Sequence, residues 1–303
     1  MSTDQLPSPG HTPPTAAPDS AQPEMTVPSV RTFFVLTFVL GWGAGILMTV
    51  FQEQVESMFG PIGYTNPVFI LVVYSPALAA VYLIWRHYGV RGLGRFFRRL
   101  TYWRMPAAWW ALLIVIPAVF YVAAAIGGTL GEPFPYSPWY GVLPALVLTM
   151  FIGPVEEFGW RGVALPLLQR RFAPFWSALI IGTVWAIWHL PAFFLMGTKQ
   201  SGWDLGPFLV GVIAVALIIT PMFNAAKGSL LIPALFHFQM NGPAWPDAQP
   251  WDMYVFAAVA TVVVLVNRRS MFSREGAATE LLAKCEPQAA SGPNGGARRG
   301  HRP

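Results

Sequence analysis

Two adjacent acidic residues, Glu156 and Glu157, lie in the middle of an apolar stretch. The chain has 14 acidic residues, and the others lie in terminal tails or in short connections between apolar segments. A carboxylate placed at membrane depth costs about 3 kcal/mol on insertion scales. Two neighbouring carboxylates at that depth therefore indicate a functional site.

Three more ionisable side chains lie inside apolar segments, away from the segment ends: Arg161, His189 and His237. Glu157 and Arg161 are four residues apart, so they share one face of a helix and can form an ion pair. Glu156 points about 100° away from that face and is left to contact something else. Counted from the basic ends of their segments, Glu156 and His189 lie at similar depth, roughly 20 Å along each helix.

These residue types are sufficient for hydrolysis of an amide bond. A carboxylate with a histidine, such as Glu156 with His189, can activate a water as a general base. His237 and Asn241, four residues apart, present an imidazole and an amide that can donate hydrogen bonds to an oxyanion. Glu156, His189 and His237 also have the donor types of a zinc site. A metal-free site and a site with one zinc ion therefore both stay open.

Soluble enzyme motifs are absent from the sequence. It contains no His-Glu-x-x-His metalloprotease helix and no Gly-x-Ser-x-Gly nucleophile turn. The one cysteine, Cys285, lies in a polar C-terminal segment, which excludes an intramolecular disulfide and a site with several cysteine ligands.

The elements that must position these residues are membrane helices. The chain has 303 residues, 54% of them hydrophobic and only 11% charged, with a mean hydropathy of +0.49. Soluble domains carry about 25% charged residues, so we predict an all-α polytopic membrane helix bundle. Eight apolar segments are candidate transmembrane helices: 32–51, 67–86, 108–130, 141–170, 174–197, 206–224, 228–242 and 252–267.

The charges predict the orientation of this bundle. Basic residues cluster on alternate connections, and the loop between the second and third segments contains Arg86, Arg91, Arg95, Arg98, Arg99 and Arg104. This pattern is typical of cytoplasmic loops, so we expect both termini to be cytoplasmic. The net charge of +5 then reflects contact with membrane lipid, and no nucleic-acid partner is expected. The Ala, Arg, Pro and Trp usage is typical of a bacterium of high genomic GC content, which suggests a bacterial inner membrane.

The domain organisation predicted from composition has three parts. Residues 1–30 contain seven prolines and lack the basic and apolar regions of a signal peptide, so we expect a disordered tail. Residues 31–269 form the predicted transmembrane domain, with the polar motifs between 142 and 242. Residues 270–303 are predicted to be a second, basic disordered tail.

Three motifs in this order resemble those of the CPBP intramembrane proteases. These proteases are also called the Abi or CAAX amino-terminal protease family and are related to the type II CAAX prenyl endopeptidases. The motifs are Glu156-Glu157-x-x-x-Arg161, Trp185-x-x-x-His189 and His237-x-x-x-Asn241. The chain differs from the family pattern at Trp185, where many members have Phe.

The resemblance implies roles for the motif residues. Glu156 would be the general base, His189 would help to hold the water, and His237 with Asn241 would stabilise the oxyanion. The substrate would be a membrane-associated peptide or protein, prenylated in part of the family.

The resemblance also implies that Glu157 and Arg161 form a supporting ion pair. Older descriptions of the family as metalloproteases imply instead that Glu156, His189 and His237 bind zinc.

Two other functions are compatible with the same residues. The chain can be a non-proteolytic membrane scaffold, for instance in bacteriocin immunity, and substitution of Glu156 would then leave its function intact. It can also be a transporter with a buried proton relay. A transporter predicts paired halves with broken helices, and the sequence shows no such pairing.

Overall fold

The computed structural model describes residues 24–284, and every regular element in that range is a helix. The predicted all-α membrane bundle is therefore confirmed. Cys285 and most of both predicted tails lie outside the described residues.

The helices follow one another with short connections. The first six are α1 (Ser29–Val50), α2 (Gln52–Phe59), α3 (Pro67–Phe97), α4 (Ala107–Val115), α5 (Pro117–Gly127) and α6 (Val142–Phe151). The others are α7 (Glu157–Gly159), α8 (Leu165–Gln169), α9 (Pro174–Trp188), α10 (Leu205–Ala225), α11 (Leu231–Met240), α12 (Trp251–Val266) and α13 (Arg268–Met271).

All eight predicted apolar segments contain helices, but they differ in length. Within the described residues, five segments are long and apolar enough to cross a membrane. The pair α4 and α5, bent by 40°, gives a sixth if it is one broken span. The ten residues of α11 rise about 15 Å, which is half of a hydrocarbon core of about 30 Å. The count of eight complete spans therefore stays a prediction.

The helix predicted over the fourth segment, 141–170, is interrupted directly before Pro154. Helix α6 ends at Phe151, and Gly153 has a left-handed backbone with φ of 99°. Residues 154–169 then form one continuous helical stretch, which we call the motif helix. It begins with a 3₁₀ turn, continues through α7 and one π turn, and ends with α8. The interruption falls directly before Pro154, because proline has no N–H to continue the helix before it.

The motif helix lies in the centre of the bundle, packed against α3 and α11. Its close contact with α3 depends on Gly159, where a Cβ atom would lie 2.5 Å from the Pro76 carbonyl oxygen. Gly182 does the same between α9 and α10, since its Cβ would lie 2.9 Å from Ile213 Cα. Small residues at these points let the helices approach closely, which is typical of helix packing in membranes.

The boundaries of both tails differ from the prediction. Met25 is fully buried, and α1 begins at Ser29. At the other end, residues 274–284 lie against the bundle, and we call them the C-terminal strap. Leu281 and Ala283 are 2% and 1% exposed, so the tail predicted to begin at residue 270 is ordered as far as residue 284. Backbone hydrogen bonds to the bundle stabilise the strap, and composition does not show these.

Candidate active site

Glu156 lies in the first turn of the motif helix, directly after the break at Gly153. The side chain is 4% exposed, and its Oε2 atom accepts a hydrogen bond of 2.8 Å from Trp185 Nε1. Trp185 belongs to α9, so this bond joins the first motif to the second. The indole can only donate, and it therefore orients the carboxyl group without removing its capacity to accept a proton.

Glu157 faces the protein interior and is fully buried. Its Oε1 atom accepts a hydrogen bond of 2.9 Å from Arg161 Nη1 and one of 2.8 Å from His237 Nδ1. The ion pair predicted between Glu157 and Arg161 is therefore present in the structure. The contact with His237 was not predicted, and it makes Glu157 the link between the first motif and the third.

Arg161 is held on a second side by an aromatic ring. Its guanidinium carbon lies 4.7 Å from the centre of the Trp185 ring, which is within the range of a cation–π contact. Trp185 thus acts on both glutamates. Its N–H donates to Glu156, and its ring face contacts Arg161, the cation that neutralises Glu157. A Phe at this position, as in many members of the family, would keep only the ring contact.

The hydrogen bond of His189 identifies its tautomer. His189 Nδ1 lies 2.8 Å from the Trp185 carbonyl oxygen. A carbonyl oxygen can only accept, so Nδ1 carries the proton and the Nε2 lone pair of the neutral ring is free to accept one. The rings of Trp188 and Phe208 pack edge-on against the imidazole at 4.8 and 5.2 Å and fix its plane.

His237 and Asn241 lie at the end of α11, against the break in the fourth segment. A Cβ atom on Gly153 would overlap Asn241 Nδ2 and would lie 3.4 Å from His237 Nε2. Gly153 therefore lies next to both side chains, with no room for a Cβ atom beside Asn241. Only glycine fits here, because the φ of 99° and the close approach both exclude a side chain.

One cavity of about 110 Å³ brings the predicted residues together. Its lining includes Glu156, His189, His237 and Asn241. Glu157 does not line this cavity, which agrees with its predicted role as the ion-pair partner of Arg161. The division predicted for the two adjacent glutamates, one facing the cavity and one paired internally, therefore matches the geometry.

Two polar residues that line this cavity, Tyr64 and Gln200, were missed by the sequence analysis. Both lie on connections between helices, outside the three motifs, so no spacing pointed to them. Burial raises the pKa of Tyr64 to about 12, and the charge of Glu156 acts in the same direction. Its hydroxyl therefore keeps its proton and can serve as a donor in the cavity.

Zinc binding by Glu156, His189 and His237 stays a prediction. In the part of the chain that the structure describes, no group of three His, Cys, Asp or Glu side chains has the arrangement needed to hold a metal ion. Glu156 is oriented by Trp185, and His189 by a backbone carbonyl. Their donor types fit zinc, and the mechanism proposed below is the metal-free alternative.

Comparison with known proteins supports the family. Residues 137–242 match the profile of the type II CAAX prenyl endopeptidase Rce1-like family. A protein from Methanococcus maripaludis called CAAX prenyl protease 2 is 26% identical over 184 residues, which cover 54% of this chain and 68% of that protein. Both matches agree with the family that the three motifs resemble, and residues 137–242 are similar to the type II CAAX prenyl endopeptidase Rce1-like family.

Proposed function

We propose that this protein is an intramembrane endopeptidase that hydrolyses a peptide bond of a membrane-associated substrate with an activated water. The observation that carries the proposal is the cavity in which Glu156, His189, His237 and Asn241 meet. It lies within a bundle of apolar helices, where such a group of polar side chains is costly to maintain without a function.

Glu156 and His189 supply the base. Water is bound between the Glu156 carboxylate, which takes its proton, and the free lone pair of His189 Nε2, which accepts its second hydrogen bond. The water oxygen then attacks the carbonyl carbon of the scissile peptide bond. The proton held by Glu156 passes to the leaving amine as the C–N bond breaks.

Asn241 and His237 act on the oxyanion that forms in this step. Asn241 Nδ2 is always a donor, and it lies beside the backbone at the broken segment. His237 Nδ1 donates to Glu157, so its Nε2 atom donates to the oxyanion only when both ring nitrogens carry protons. Loss of one oxyanion donor typically lowers kcat by about 10²–10³-fold.

The size of the cavity suggests how the substrate enters. Ligand pockets are typically about 300–1,000 Å³, and this cavity is about 110 Å³. We propose that only the scissile peptide group enters it, in an extended conformation, while the lipid anchor stays in the bilayer. The similarity to a CAAX prenyl protease supports a prenylated polypeptide as the substrate class.

The test is peptide cleavage by the full chain reconstituted in liposomes. Wild type is compared with Glu156→Gln on lipid-anchored peptides with and without a prenyl group. The matched control is Glu53→Gln, which removes an exposed carboxylate on α2. We expect cleavage by wild type and by the control, and none by Glu156→Gln.

Two arms of the assay separate the alternatives. Cleavage that continues at the wild-type rate in folded Glu156→Gln would rule out the assigned base. A chelator added to wild type distinguishes metal-free water activation, which predicts no change in rate, from zinc, which predicts loss of activity restored by zinc. A scaffold function predicts no cleavage of any peptide, with biological function kept in Glu156→Gln.

We also propose that both termini face the cytoplasm of a bacterial inner membrane, because the basic connections lie on that side of the predicted bundle. Cys285 is the only cysteine of the chain, so it reports the side of the C-terminus. A membrane-impermeant maleimide should label it in inverted vesicles and not in intact spheroplasts. The reverse pattern would contradict the orientation.

A further inference from the structure

A second and larger cavity lies away from the catalytic residues. Its volume is about 850 Å³, and three elements enclose it: the segment after α3, the turn between α10 and α11, and the C-terminal strap. Its lining has no residue in common with that of the catalytic cavity. No step of the proposed hydrolysis uses it.

The lining of this cavity is strongly basic. It includes four basic residues, Arg99, Arg104, Lys227 and Lys284, against one acidic residue, Glu280. The formal charge of the lining is therefore four minus one, or +3. Three of the bases are exposed at the mouth, and Arg99 alone is buried, at 1% exposure.

Arg99 is a buried cation without a counterion. Its Nε atom donates to Gly228 O at 2.8 Å, and Nη1 donates to Gly162 O at 2.8 Å and to Leu281 O at 3.0 Å. The acceptors are neutral carbonyls, and no carboxylate of the described residues forms an ion pair with Arg99. Its Nη2 atom is buried and has no hydrogen-bond partner in the described part of the chain.

Buried charges in proteins are normally paired, because an unpaired one costs several kcal/mol. Arg99 is held rigidly, so its side chain cannot easily move to water to lower the cost of its unpaired charge. Three carbonyls hold the guanidinium, and the rings of Phe96 and Phe223 lie 5.5 and 5.6 Å from its carbon atom. An anion in the adjacent cavity would supply the counterion and an acceptor for Nη2.

The mouth of the cavity favours an anion that is attached to a lipid. Trp103 lines it and is 56% exposed, and the Arg104 guanidinium lies 5.7 Å from that ring. Exposed tryptophan beside arginine is typical of the membrane–water interface. Leu282 adds an apolar side chain to the lining.

We propose that this cavity binds a phosphate-bearing anion, and that Arg99, Arg104 and Lys227 contact the phosphate. The headgroup of an anionic phospholipid is one source of that group, and free phosphate is the other. Because the strap closes the cavity and Arg99 holds the strap through Leu281, the bound anion also stabilises the C-terminal strap.

The test measures binding by the purified full chain in detergent. Native mass spectrometry counts phosphatidylglycerol retained per chain, with phosphatidylcholine as the uncharged comparison. Inorganic phosphate is then added as a competitor. The double variant Arg104→Gln/Lys227→Asn removes two charges at the mouth and leaves the buried contacts of Arg99 unchanged. Asparagine suits position 227, because Lys227 has a φ of 53°.

The matched control is Arg268→Gln/Arg269→Gln, which removes the same charge from two exposed residues outside the cavity. We expect one phosphatidylglycerol per wild-type chain. Each charge removed at the mouth should weaken binding roughly five-fold, so the double variant should bind roughly 25-fold more weakly. The control should stay within about two-fold of wild type.

The competitor identifies the source of the phosphate. Displacement of the lipid by millimolar phosphate indicates a site for the phosphate group itself, and lipid that resists displacement indicates that the acyl chains contribute; both results support the proposal. Two results would overturn it: no preference for phosphatidylglycerol together with no phosphate binding, or equal weakening in the double variant and the control. Equal weakening would mean that surface charge in general, and not this cavity, attracts the anion.

Discussion

The same substitution should affect different properties at the two adjacent glutamates: catalytic activity at Glu156 and stability at Glu157. In Glu156→Gln, the amide oxygen can still accept the bond from Trp185, so we expect the fold to persist. The variant has no carboxylate to take a proton from water, and general-base catalysis typically contributes about 10²–10⁴-fold. Cleavage should therefore fall by at least that factor without a loss of stability.

In Glu157→Gln, the loss should appear first in stability. The substitution removes the ion-pair partner of the fully buried Arg161, whose Nε and Nη2 atoms already have no hydrogen-bond partner among the described residues. Breaking a buried pair from one side costs about 3–5 kcal/mol. Since about 1 kcal/mol lowers Tm by about 2–4 °C in larger domains, Tm should fall by roughly 6–20 °C.

Both outcomes can be measured on the same samples. The chain has 13 Trp residues, so intrinsic fluorescence during heating in detergent reports unfolding. Cleavage is then measured well below the lower Tm. The reasoning fails if Glu157→Gln unfolds within about 2 °C of wild type, or if Glu156→Gln loses as much stability as Glu157→Gln.

Three further substitutions test individual contacts. Gly153→Ala places a Cβ against Asn241 Nδ2, so kcat should fall by about 10²–10³-fold, measured on the same peptide. Trp185→Phe keeps the ring and removes the donor to Glu156, and because hydrogen bonds to charged groups contribute about 1.5–3 kcal/mol, kcat should fall at least about ten-fold. Leu281→Ala removes a side chain that is 2% exposed in the strap, so the free energy of unfolding in denaturant should fall by about 2–5 kcal/mol.

Each of these has a control on an open position. Gly131→Ala meets no atom within 4 Å, Trp139→Phe changes a side chain that is 69% exposed, and Val266→Ala changes one that is 77% exposed. The controls should keep the wild-type rate and stability. An effect in a control as large as in its test variant would contradict the contact assigned to that test residue.

Local spacing predicted the contacts made within one helix. Glu157 and Arg161 are four residues apart, and they form the expected pair. Contacts between helices were harder to predict. The bond from Trp185 to Glu156 joins residues 29 apart, and the one from His237 to Glu157 joins residues 80 apart. These bonds depend on how α9 and α11 are oriented about their axes relative to the motif helix. That orientation cannot be predicted from a single sequence.

The C-terminal strap shows a second limit. Residues 270–303 were predicted to be a disordered tail from their composition. In the structure, Arg95 Nε donates to Ala283 O at 2.9 Å, and the Ala283 N–H donates back to Arg95 O at 3.1 Å. Gln169 Nε2 donates to Ala278 O at 2.9 Å. Arg95, which was assigned to a membrane-surface loop, thus also donates to a backbone carbonyl of the strap. Every residue has a backbone carbonyl, so the sequence does not indicate which one will accept this bond.

The position of the site follows from the break in the fourth segment. Irregular backbone at membrane depth is tolerated only where it is buried in protein or lines a cavity. Gly153 and Pro154 interrupt the helix, and Glu156 follows in the first turn after the interruption. The break therefore creates the space that the carboxylate faces, and Gly153 itself lines that cavity. A Gly-Pro pair followed two residues later by an acidic residue, within an apolar run, thus predicts a cavity with a polar site even without knowledge of the family.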